Sequence, residues 1–114
     1  MTIIINEGPA KLRAWNGLRT AGALVGEGFK VRVFLMDDGV YLAKTGQDPI
    51  PGLAALNSEE HLQKLMELGV EISCCGLCFH ARGLSREEIL PNIPIASLPD
   101  LAKAIKASRH VLTF

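Results

Sequence analysis

The sequence predicts an α/β protein: one three-layer α/β/α domain built on a mostly parallel five-stranded sheet. Three observations predict it. Short apolar, β-branched runs alternate with segments whose apolar residues recur at helical spacing, the pattern of strand–helix–strand crossovers. Several of those runs are apolar along most of their length, as strands covered on both faces are. And 114 residues make one domain, so residues 1–114 are expected to share a core.

The elements follow in chain order. Thr2 to Asn6 is a β-branched run that reads as the first strand, broken by Gly8-Pro9. Ala10 to Val25 has helical spacing, with Leu12, Trp15, Leu18, Ala21 and Val25 on one stripe and Gly26 and Gly28 at its end. Lys30 to Met36 reads as the second strand, closed by a turn at Asp37-Asp38-Gly39. Residues 40–56 carry Gly46, Pro49, Pro51 and Gly52 and read as a loop with one helical turn. Asn57-Ser58-Glu59-Glu60 resembles a capping box opening a helix with Leu62, Leu65, Met66 and Leu68 inward and Gly69 as its stop.

Val70 to Cys74 is the third strand, and a cysteine loop is expected to follow it directly. Ser85-Arg86-Glu87-Glu88 is a second capping-box signature, opening a short helix that Pro91 ends. Ile95-Ala96 is a minimal fourth strand. Ser97 caps a last helix with Leu98, Leu101, Ala102 and Ile105 inward, and His110 to Phe114 is the terminal strand. In such sheets chemistry gathers beyond the C-terminal strand ends, where residues 7–10, 37–41 and 75–82 are expected to meet.

Composition excludes several classes of function. Twelve basic and twelve acidic residues leave no net charge and no positive excess for nucleic acid. No apolar stretch reaches bilayer-spanning length, so no membrane span is expected. Met1 to Asn6 lacks a basic region and a cleavage site, and reads as a strand rather than a signal peptide. A hydrophobic share of 48% and a mean hydropathy of +0.23 are high for so short a chain. Part of the apolar surface is therefore expected to meet another subunit. Glu7-Gly8-Pro9 opens a helix beyond a strand but lacks the glycines and lysine of a phosphate-binding loop, so no nucleotide cofactor is expected.

The three cysteines, Cys74, Cys75 and Cys78, lie within five residues. That clustering is no secreted disulfide framework; it points to a reducing, cytoplasmic compartment and to reactive or metal-binding thiols. Cys75-Gly76-Leu77-Cys78 is a C-x-x-C between a strand end and a helix start, with His80 and Arg82 close enough in sequence to lower a thiol pKa. Four readings compete: a persulfide-accepting thiol, a thiol–disulfide switch, a zinc site using Cys75, Cys78 and His80, and an inert strand-end cysteine. Structural zinc wants four ligands and the chain offers no second C-x-x-C, so no metal is expected. Strand side chains alternate, so Cys74 should face away from Cys75 and serve as core.

Other side chains read more simply. Asp37 and Asp38 fit a turn cap better than a metal or acid–base pair. Tyr41 either lines the thiol pocket or packs as an amphipathic ring. His61 reads as solvated, His110 as structural, and Trp15 as core or subunit interface.

Residues 70–84, VEISCCGLCFHARGL, resemble the cysteine segment of the DsrE/DsrF/TusD sulfur-relay family, and its small homo-oligomeric YchN-like branch in particular. The pattern is Cys-x-x-Cys followed by x-x-x-Arg-Gly. Residues 33–40, VFLMDDGV, the ending RHVLTF and the opening strand with Asn6, Gly8 and Pro9 also fit, so the likeness runs from end to end. The resemblance implies a three-layer α/β/α fold and assembly into trimers or hexamers. It implies that the cysteine seven residues before the Arg of Arg-Gly takes up persulfide sulfur; here that is Cys75. Cys78 matches a second cysteine found in some branches. Arg82 or the following helix start would stabilise the thiolate, and sulfur would pass to or from a partner protein's thiol. A thiol–disulfide cycle of Cys75 and Cys78, or a non-catalytic oligomeric module, remain alternatives.

Overall fold

The structure is a computed structural model that describes residues 1–47, 49, 51–53 and 56–114. Five strands, β1 (Thr2–Ile5), β2 (Arg32–Leu35), β3 (Glu71–Cys75), β4 (Ile95–Ala96) and β5 (Val111–Thr113), form one sheet in the order β4-β3-β2-β1-β5. Every pairing is parallel, so the expected sheet is parallel throughout. Four helices, α1 (Leu12–Gly26), α2 (Ser58–Glu67), α3 (Gly76–Ala81) and α4 (Leu98–Lys106), connect them.

The order of the strands dictates where the helices go. The chain steps from β1 to β2 to β3 in one direction across the sheet. Right-handed crossovers then place α1 and α2 on the same face. From β4 the chain must return to the far edge to form β5. That reversal puts α4 on the opposite face.

Side-chain alternation divides each strand accordingly. Ile3, Ile5, Val33, Leu35, Ile72 and Cys74 enter the main core with Trp15, Leu18 and Ala21 of α1 and Leu62 and Leu65 of α2. Each fully buried aliphatic side chain there contributes about 1.5–3 kcal/mol. The intervening residues Phe34 and Cys75 face the other way and meet Leu101 of α4, with Ile4, Met36 and Ala96 packed alongside.

One helix cannot cover five strands. An open groove of about 860 Å³ remains between α4 and β2, β3 and β4, lined among others by Phe34, Ser73, Ala96 and Ala104. Leu98, at 54% exposed, and Ile105, at 39%, stand on the outside of α4. Ala102 is exposed as well, so of the four residues expected inward only Leu101 is buried. Leu12 and Leu68, expected on inward stripes, are exposed, each sitting at a helix end.

The caps follow the sequence. Asn57 accepts from the Glu60 amide at 3.1 Å. Ser85 with Glu88 and Ser97 with Asp100 each close a reciprocal capping box. The first of these opens a 3-10 turn, Arg86–Glu88, rather than the short helix expected to reach Leu90. Residues 37–43, expected as a turn and the start of a loop, form a seven-residue 3-10 helix that buries Val40, Leu42 and Ala43. Residues 48, 50, 54 and 55 of the loop expected over 40–56 lie outside the described residues.

Candidate functional site

The three segments expected to converge do so. The Gly39 amide donates to the Asn6 carbonyl at 3.1 Å, joining the end of β1 to the 3-10 helix. Arg82, just after α3, reaches back to Asp37 and Asp38. The cysteines sit between these anchors. What was expected as a cysteine loop is regular structure: Cys75 is the last residue of β3 and the N-cap of α3, and Cys78 occupies the first turn of that helix. The first turn thereby packs Cys78 against the cluster that Cys75 forms with Phe34 and Leu101.

The three cysteines have three environments. Cys74 is fully buried in the main core, and burial pushes its thiol up to about 12. It faces away from Cys75, as alternation predicts. Cys75 is 3% exposed and packs with Phe34 and Leu101. Cys78 is partly exposed and bridges both apolar clusters. Burial raises the Cys78 pKa above the ordinary thiol value. The Asp37 backbone amide and the Arg82 guanidinium oppose that rise, and the Cys75 thiol adds to it. The lowered thiol pKa expected for this loop is therefore not met at Cys78. The reason is desolvation: burial of Cys78 outweighs the favourable amide and the Arg82 charge.

Arg82 is the organiser of the mouth. Its Nε and Nη2 donate to Asp38 Oδ1 at 3.0 and 2.9 Å, and Nη2 also donates to Asp37 Oδ1. Its Nη1 donates to the Cys78 carbonyl at 3.1 Å. Hydrogen bonding by Asp38 is the main reason its own pKa rises further. Asp37 adopts a left-handed conformation with φ of 50°, a costly one for a residue with a Cβ but tolerated by aspartate. The two aspartates are thus the fixed counter-ions of Arg82, a role that reading them as a turn cap missed. The adjacent Asp-Asp at the end of β2 and the lone Arg after the cysteines were the signal for it.

His80 lies on the exposed side of α3, edge-on to Phe79 with ring centroids 5.1 Å apart. It makes no hydrogen bond among the described residues to either thiol. Leu77 is 76% exposed at the same mouth. Tyr41 packs against the main core. His61, read as solvated, is half-buried and stacks on Trp15, and burial followed by Lys64 and Arg19 lowers its pKa. Trp15 donates from Nε1 to the Pro9 carbonyl at 2.9 Å, tying α1 to the loop after β1. No three His, Cys, Asp or Glu side chains among the described residues group as metal ligands. No helix among them is long and apolar enough to cross a membrane.

The comparisons agree with this architecture. The chain is 40% identical over 116 residues to a protein of Methanocaldococcus jannaschii, covering 99% of this chain and 97% of that one. It is 38% identical over 117 residues to a protein of Methanopyrus kandleri, covering 100% and 93%. Protein YchN of Escherichia coli is 32% identical over 102 residues, covering 88% of this chain and 85% of YchN. The crystal structure of YchN superposes with a TM-score of 0.87 over 99% of this chain and 97% of that one. A family described as DsrE/DsrF-like matches residues 1–114. With this match over its whole length, and with the cysteine–Arg-Gly spacing in place at the end of β3, the chain belongs to the DsrE/DsrF-like family, on its YchN-like branch.

Proposed function

We propose that this protein, a single DsrE-like unit over residues 1–114, carries sulfane sulfur as a cysteine persulfide, with Cys75 as the position that holds it. The observation that carries this reading is the thiol pair: Cys78, in the first turn of α3, packs on the apolar cluster that buries Cys75, at the C-terminal end of β3, where three segments converge. A carrier needs a thiol that can attack a sulfane sulfur and an environment that keeps the product from water and stray thiols. Cys75 has the second property through its apolar neighbours. Arg82 supplies the positive charge nearest the pair, and opposes the rise in the Cys78 pKa. His80 needs no part in the step. The partner is a protein that offers or accepts sulfur at an exposed thiol, and the setting is a reducing, cytoplasmic one. The sheet face under α4 is where copies of the chain would assemble, as trimers or hexamers.

The test is the intact mass of folded protein after incubation with a small-molecule persulfide. The expected result is addition of one sulfur atom, removed by reductant and absent from a Cys75→Ser, Cys78→Ser double variant. Unchanged mass in the wild type would overturn the reading.

The packing of Cys78 on the Cys75 cluster also supports a second reading, a thiol–disulfide cycle of Cys75 with Cys78. A Cys78→Ser variant separates the two, because it can still hold sulfur on Cys75 but cannot close the ring.

A further inference from the structure

We infer that sulfur enters this protein at Cys78 and moves inward to Cys75, so that one chain contains a loading thiol and a storage thiol. The inference rests on the reading above, that the pair carries sulfur, and adds a direction to it.

Access sets the direction. Cys75 is 3% exposed and packed among Phe34, Leu101, Ile4, Met36 and Ala96. A donor the size of a peptide cannot bring its sulfur in line with that Sγ while these neighbours stay in place. Cys78 packs on the same cluster from outside and is partly exposed. Against the effect of burial, the Asp37 backbone amide favours negative charge on its sulfur. That amide is held in place by the left-handed Asp37 backbone and by the Asp37–Arg82 ion pair. Arg82 also fixes the Cys78 carbonyl, so the backbone on both sides of the sulfur is anchored. Beside it, Leu77 projects into solvent as an apolar contact for an arriving protein.

Two steps complete the transfer. In the first, the Cys78 thiolate attacks the outer sulfur of a donor persulfide. A bond forms from Cys78 Sγ to that sulfur, the donor's S–S bond breaks, and the donor thiolate leaves and takes up a proton. In the second, Cys75 gives up its proton and attacks the same outer sulfur. The Cys78 S–S bond breaks and the Cys78 thiolate takes up the proton Cys75 released. One sulfane sulfur moves, the electron count is unchanged, and no oxidant or reductant is consumed.

Loading rates with glutathione persulfide as the probe, followed by rapid acid quench and intact mass, test the direction. Cys78→Ser is expected to load at least ~10-fold more slowly than wild type, because its remaining thiol is the buried one. Cys78→Ala, which keeps the cluster apolar, should be equally slow. Cys75→Ser is expected to keep its sulfur on Cys78, and to lose it to added glutathione at least ~10-fold faster than the wild type, because that sulfur stays at the surface. Wild-type loading rates in either Cys78 variant would overturn the inward direction and leave the carrier reading standing. No sulfur uptake by the wild type would overturn both.

Discussion

Arg82 makes four hydrogen bonds at the mouth of the site, three to Asp37 and Asp38 and one to the Cys78 carbonyl. Its charge favours the Cys78 thiolate, and so does the Asp37 amide that it holds in place, while burial works against both. Replacing Arg82 with Gln removes the cation and loosens the amide, and both losses act in the same direction. The Arg82→Gln variant is therefore expected to react with iodoacetamide at Cys78 about threefold more slowly at neutral pH, because the thiolate loses stabilisation. Peptide mapping should find Cys74 unlabelled in both proteins until they unfold, since its thiol is pushed up to about 12 in the core. Faster labelling of the variant would mean that Arg82 shields the sulfur rather than activating it. The family-bearing segment was legible in the sequence, because C-x-x-C and the Arg-Gly seven residues after Cys75 are local patterns. So was the placing of Cys74 and Cys75 on opposite faces of the sheet, which follows from strand alternation alone. The partners of Arg82 were not legible: they lie 44 and 45 residues away and become neighbours only when β2 and β3 pair.

At the scale of elements, the 3-10 helix of residues 37–43 is the part the sequence concealed. Its seven residues exceed the usual three or four of such helices. Gly39 and the turn-like Asp-Asp-Gly hide a segment that is held by long-range contacts rather than by propensity. The Gly39 amide bonds the Asn6 and Met36 carbonyls, the Leu90 amide bonds the Ala43 carbonyl at 3.0 Å, and the Thr45 amide bonds that of Glu88 at 2.8 Å. Close approach is why residue 39 is glycine: a Cβ there would stand 2.1 Å from the Ile5 carbonyl oxygen. A Gly39→Ala substitution must push the 3-10 helix off the end of β1, and with it Asp37 and Asp38. It is expected to cost about 2 kcal/mol or more in urea unfolding. Cys78 alkylation should slow alongside, because the Asp37 amide moves. A fully stable variant with unchanged labelling would show that the segment has room to shift without disturbing the thiols. The helices with strong local signals needed no such contacts to be read. Asn57, Ser85 and Ser97 sit three residues before their Glu or Asp partners, and all three act as caps in the structure.

At the scale of the molecule, the unequal covering of the sheet is the leading feature. α1, α2 and Phe79 of α3 pack on one face and α4 crosses the other, because the return from β4 to β5 has to span the whole width. The apolar stripe of α4 was visible in the sequence, and so was a hydrophobic content too high for an isolated chain of this length. Periodicity cannot say whether such a stripe meets its own sheet or another copy. Here Leu101 meets the sheet, Leu98 and Ile105 stay exposed, and an open groove runs along the side of α4 that carries Asp100, Lys103 and Ala104. Assembly across this face is expected, and Ile105→Glu tests it cleanly. Ile105 is already 39% exposed, so a charge there changes folding by no more than about 0.5 kcal/mol if the chain stands alone. In an assembled interface the same carboxylate would be buried without a partner, a cost of several kcal/mol for every copy. Light scattering of the wild type should give a multiple of the 12.3 kDa chain mass, and of Ile105→Glu the chain mass itself, with unchanged circular dichroism. A wild type that runs as a single chain would refute assembly. An oligomer that survives the substitution would move the interface to another surface, of which exposed β5, with Val111 and Leu112, is the next candidate.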